Sequence, residues 1–112
     1  MWGDSYQHTV ITQLILENGG LFTSWLPYEP YESLTVHYGF SANSAMIAWV
    51  ANIPSTQAVI WFGQIINILS VFSLYPLAMM ISKQSKWAGA GAILVAGLLT
   101  QMPNYYVNWG RY

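Results

Sequence analysis

No charged side chain interrupts the chain between Glu32 and Lys83. That uncharged stretch exceeds the roughly 20 apolar residues a helix needs to cross a bilayer. A water-soluble fold must cover itself with charge, yet only three basic and four acidic residues exist in all 112. Charged residues make up 6% of the chain, against about 25% in an average soluble domain. The expectation is an all-α integral membrane protein.

The charges are Asp4, Glu17, Glu29, Glu32, Lys83, Lys86 and Arg111, with a net charge of −1. Nothing among them forms the basic patch that phosphate backbones require, so nucleic acid is not an expected partner. The absence of cysteine excludes disulfides and thiolate metal sites. Six Trp and eight Tyr suit the water–lipid boundary. Met1-Trp2-Gly3-Asp4 has neither the basic region nor the apolar core of a signal peptide.

Four helices are expected, in two groups. Residues 4–17 read as a short helix with Asp4 as N-cap and Val10, Ile11, Leu14 and Ile15 as its apolar face. Asp4, His8 and Thr12, each four apart, are placed on the opposite face. Asn18-Gly19-Gly20 should end it, because Gly and Asn accept left-handed backbone cheaply. A loop rich in Pro and aromatic residues follows, and residues 33–52 read as a second helix. His37, Ser41 and Ser44 give that helix a polar stripe, which favours an interfacial or pocket-lining position over a span.

Residues 56–82 are the clearest membrane span, with Ser55 expected as N-cap and Pro76 expected to kink the helix. Gln64 and Asn67 lie three apart, a face able to hydrogen-bond a neighbouring helix. After a polar turn over Lys83–Lys86, residues 87–102 read as a second span. Ala88, Ala92, Ala96 and Thr100 form a small-residue stripe on it, suited to close helix contact. The domain reading is thus an external loop region (1–55), a transmembrane hairpin (56–102) and an external tail (103–112). Positive residues favour the cytoplasmic side, so the Lys83–Lys86 turn is expected inside and both termini outside.

Few residues here can carry chemistry. Asp4 and His8, one helical turn apart, have the spacing of an acid/base pair, or of a capping aspartate beside an exposed histidine, the reading that spacing alone favours. His37 is either a packed, hydrogen-bonded histidine or a ligand or catalyst. Arg111 can grip a phosphate in a bidentate manner or anchor the chain at the membrane surface. No cofactor is expected. Asp4 with the two histidines offers only thin support for a divalent metal, since no dense ligand motif is present.

The order of certain motifs resembles the multispanning C-type glycosyltransferases that use lipid-phosphate sugar donors. Gly3-Asp4-Ser5-Tyr6-Gln7-His8 is similar to the acidic motif opening that family's first external loop. Pro27-Tyr28-Glu29-Pro30-Tyr31, running into Leu34 and His37-Tyr38, is similar to the approach to its second loop helix. Tyr75-Pro76-Leu77-Ala78 before the lysine turn resembles the end of one span. Pro103 followed by Asn108-Trp109-Gly110-Arg111-Tyr112 resembles the external exit of the next.

The resemblance implies that Asp4 acts as catalytic base, that Arg111 contacts donor phosphate, and that His37 lines the substrate pocket. It also implies sugar transfer from a lipid-phosphate donor on the non-cytoplasmic side, in the plasma membrane of a prokaryote. The family has a span before the acidic motif and many after the exit, so the expectation is a fragment or truncated relative, inactive alone. A rival reading is a small non-catalytic accessory subunit packing its helices into a larger membrane complex, an energy-transducing one for example. Either way the expected partners are membrane lipid and other transmembrane helices.

Overall fold

A computed structural model describes residues 3–30 and 37–99, and among these all regular structure is helical. In chain order the elements are α1 (Gly3–Asn18), α2 (Gly39–Ala51), α3 (Ser55–Ile81) and α4 (Lys86–Leu94). A π-helical turn, Val95–Leu99, continues α4. The chain divides into two compact units, Met1–Phe62 and Gly63–Tyr112, with the division inside α3.

Local chemistry explains the helix ends. Asp4 lies within the first turn of α1 rather than before it, where its charge still complements the helix dipole. Gly19 takes a φ of 66° after the last turn. Its N–H donates to the Leu16 carbonyl and that of Gly20 to the Ile15 carbonyl, so a glycine-capped reversal satisfies the last carbonyls. Asn52 closes α2 in the same left-handed region, at φ 51° and ψ 48°. Ser55 is the first residue of α3 rather than its cap, and the Pro54 carbonyl accepts from Gln57 and Ala58. Ser85 caps α4, its hydroxyl accepting from the Ala88 N–H.

In the first unit, α1 and the loop after it build the core. Val10, Ile11, Leu14 and Ile15 are buried together with Phe22, Trp25 and Ala45. Phe22 and Trp25 meet edge to face, ring centres 5.6 Å apart. The expected division of α1 into an apolar face and a polar one does not hold. Ser5 and Thr12 are buried as well, so the covered arc includes part of the side assigned to Asp4, His8 and Thr12. At 3.6 residues per turn Thr12 stands only about 100° from Ile11, and a hydroxyl that bonds its own helix can be buried beside it.

α3 has 27 residues, about 40 Å of helix. It is the one helix among the described residues long and apolar enough to cross a membrane. Only 6% of its apolar window is covered by the rest of the chain. Ser70 and Ser73 donate to the carbonyls of Asn67 and Ser70, so their hydroxyls ask nothing of the surroundings. Pro76 lies inside the helix, which continues to Ile81.

The helix expected over 87–102 is described as Lys86–Leu99, shorter than a full span, and residues beyond 99 lie outside the described part. In this second unit the α4 region meets α3 at glycines one residue away from the alanine stripe. A Cβ on buried Gly89 would come 2.8 Å from the Tyr75 ring and 3.1 Å from Met79 Cγ. One on Gly97 would lie 3.4 Å from Val71. Ala88, Ala92 and Ala96 are half-buried next to this seam.

Candidate functional site

The titratable groups singled out by spacing gather at the N-terminal end of α1. Asp4 is exposed and His8, one turn further, is half-buried. α2 supplies the wall on which His8 rests. Ser41 Oγ lies 3.5 Å from His8 Nδ1 and donates to the His8 carbonyl at 3.4 Å. Thr12 Oγ1 donates to the same carbonyl at 2.7 Å and lies 3.4 Å from the Ser41 carbonyl oxygen. Thr12, Ser41 and Ser44 are fully buried. Ser44 is satisfied inside its helix, donating to the Phe40 carbonyl at 3.0 Å.

An aromatic series fixes the imidazole from another side. The Phe40 ring centre is 4.9 Å from that of His8, and the Phe62 ring is 5.1 Å beyond it. Burial lowers the His8 pKa below 6.5, and the nearby Asp4 charge opposes that in part. His8 is therefore mainly neutral at pH 7, able to accept a proton, while Asp4 stands open to solvent.

A second polar group ties the loop to α1. Glu17 Oε1 accepts from Gln13 Nε2 at 2.8 Å and from the Tyr28 hydroxyl at 2.9 Å. Those two donors hold the Glu17 pKa down, and the Glu17 bond pushes that of Tyr28 up.

Of the four residues expected to act, Asp4 and His8 are brought together. His37 is exposed on the approach to α2 and stands outside the cluster. Arg111 lies outside the described residues. Among the described residues no three histidine, aspartate or glutamate side chains group as a metal site would require. Sequence reasoning did not anticipate the Ser41 contact or the Phe40–Phe62 stack. Both are pairings between distant segments, and the one available signal was Ser41 as a small polar residue within an apolar helix.

Comparison with known proteins yields no match: no family model, curated protein or solved structure is similar enough to place this chain.

Proposed function

We propose that this chain forms the loop-and-hairpin region of a membrane glycosyltransferase that takes sugar from a lipid-phosphate donor on the non-cytoplasmic side. The observation that carries the reading is Asp4, an accessible carboxylate coupled to the mainly neutral His8. α3, the helix fit to cross a bilayer, lies in the same short chain. In this reading α3 spans, the Lys83–Lys86 turn is cytoplasmic, and the continuation of α4 completes a second span.

The chemistry follows from a base at that position. The Asp4 carboxylate takes the proton of an acceptor hydroxyl as the hydroxyl oxygen attacks the anomeric carbon. The bond from that carbon to the phosphate oxygen breaks, and the lipid phosphate leaves with the electron pair. Arg111 would neutralise the phosphate, and His37 would line the pocket, both by resemblance alone.

The experiment is sugar transfer by membranes containing the protein together with the rest of its assembly, using a panel of labelled lipid-phosphate sugars. Asp4→Asn keeps shape and removes the proton acceptor, so transfer should fall by about 10²- to 10⁴-fold with helicity unchanged. Transfer at the normal rate would remove the base role.

A second reading rests on the apolar side chains that α3 and the α4 region leave uncovered, among them Leu69, Met80, Ile81, Leu98 and Leu99. These suit a non-catalytic subunit whose helices pack into a larger membrane complex. Co-purification of a stoichiometric set of membrane subunits, with assembly and activity indifferent to Asp4→Asn, would favour it.

A further inference from the structure

α2 is built inside out. The residues it buries fully are small, Ser41, Ser44, Ala45 and Ala48, while Phe40 and Ile47 are only half-buried. Those it turns outward are large and apolar: Val50 is 89% exposed, Met46 59% and Trp49 54%. A helix lying on a water-facing surface has the reverse arrangement, because burial of large apolar side chains is what holds it down. On the same face the Asn43 amide donates one N–H to the Gly39 carbonyl of its own helix at 2.8 Å, which reduces its polar demand without removing it.

From these observations we infer that α2 beds its outward face, Met46, Trp49 and Val50, in the acyl chains of one leaflet. Three features favour lipid over a protein partner. No charge stands on the helix or anywhere from residue 33 to residue 82, so nothing is present to specify a partner's orientation. In the same unit the first turns of α3 also leave Ile60 and Trp61 exposed, and α3 is the helix suited to span. Finally, α2 has 13 residues, about 20 Å, too short to cross roughly 30 Å of hydrocarbon and suited to lying along its boundary. Trp49 is the side chain expected at that depth.

The inward face of α2 carries α1, through Ser41 against His8 and Thr12. α2 therefore separates α1 from the hydrocarbon and leaves Asp4 and Gln7 on the aqueous side. The inference depends on the membrane placement of α3 proposed above, and not on any catalytic role of Asp4.

The natural absence of cysteine makes single spin labels direct. Labels at Met46→Cys, Val50→Cys, Leu69→Cys on α3 and Gln7→Cys on α1 would be read in vesicles of phosphatidylcholine and phosphatidylglycerol. Molecular oxygen reports hydrocarbon and a water-soluble nickel chelate reports solvent. Labels at Met46 and Val50 should match Leu69, with an oxygen-to-nickel accessibility ratio several-fold above that at Gln7. Nickel access at both positions equal to that at Gln7 would overturn the inference, as would labels shielded from both reagents by a protein neighbour. If Leu69 itself reports water, the membrane placement fails and the inference with it. If only the α2 labels fail, the span stands and α2 alone is misplaced.

Discussion

Ser41 Oγ sits 3.5 Å from His8 Nδ1, joining α2 to α1 across a sequence separation of 33 residues. The contact is long for a hydrogen bond and weak by itself. Its setting gives it weight, because Thr12 and Ser41 are fully buried around the same His8 carbonyl. A charged imidazole here is disfavoured by burial, and its protonated Nδ1 could no longer accept from Ser41.

The joint should make the first unit sensitive to acid. Folded His8 binds a proton less readily than unfolded His8, whose pKa is near 6.5. Its contribution to stability is complete above that value and is lost as pH falls below it, because the unfolded chain then takes up more protons. Glu17 acts in a lower window. Its pKa is held below 4.5, so its contribution is present above 4.5 and is lost as pH falls through the depressed folded value. Melting in detergent from pH 8 to 5 should show a falling midpoint, and His8→Gln should flatten that fall. An unchanged slope in His8→Gln would assign the acid sensitivity elsewhere.

The seam between α3 and α4 offers a matched pair of glycines. Gly89→Ala puts a methyl 2.8 Å from the Tyr75 ring, a collision that must displace the ring or the helix. Overpacking of this kind costs about 1–3 kcal/mol. Gly91→Ala meets nothing within 4 Å, and replacing a helical glycine by alanine gains about 0.5–1 kcal/mol. Thermal denaturation of the two variants in the same detergent should therefore move in opposite directions. Equal shifts would mean that this seam does not hold the two helices together.

Local rules placed the ends of α1 and α3 closely, although neither Asp4 nor Ser55 is the cap expected, and lost the faces. The apolar run after Pro54 made α3 readable almost to the residue, 56–82 expected and Ser55–Ile81 found. Asn18-Gly19-Gly20 likewise announced the end of α1, because left-handed backbone has few willing residues. Burial was harder. Thr12 looked outward by its spacing from His8, yet its hydroxyl bonds the His8 carbonyl and needs no water. The alanine stripe and the Gly89–Gly97 seam differ by a single residue of register, too little for a four-residue period to separate. At the site, the Asp4–His8 pairing was legible because it is one helical turn long. The approach of Ser41 and Phe40 was not, since it depends on where α2 packs.

Topology is open to direct chemical test. The lysine turn is expected in the cytoplasm and α1 outside. Gln84 and Gln7 are both exposed, whereas Ser5, though close in sequence to Gln7, is buried and would react slowly on either side. Membrane-impermeant maleimide added to intact cells should label Gln7→Cys and spare Gln84→Cys until the cells are opened. Labelling of Gln84→Cys alone in intact cells would invert the orientation and place Asp4 in the cytoplasm.

Ala45 and Met46 are neighbours in sequence and opposites in environment, and substituting each tests the inside-out character of α2. Ala45 is 1% exposed and belongs to the core that α1 builds. Ala45→Leu adds three carbons where Ile11, Leu14 and Trp25 already fill the space, at a cost of about 1–3 kcal/mol. α1 would have to lift from α2, so the His8–Ser41 contact and the acid sensitivity built on it should weaken together. Met46→Leu keeps volume on the outward face and should leave the melting midpoint within error, since its side chain is 59% exposed. Thermal melts and their pH slopes, measured side by side in detergent, give both answers. A large loss from Met46→Leu with none from Ala45→Leu would mean that α2 turns its other face to the core.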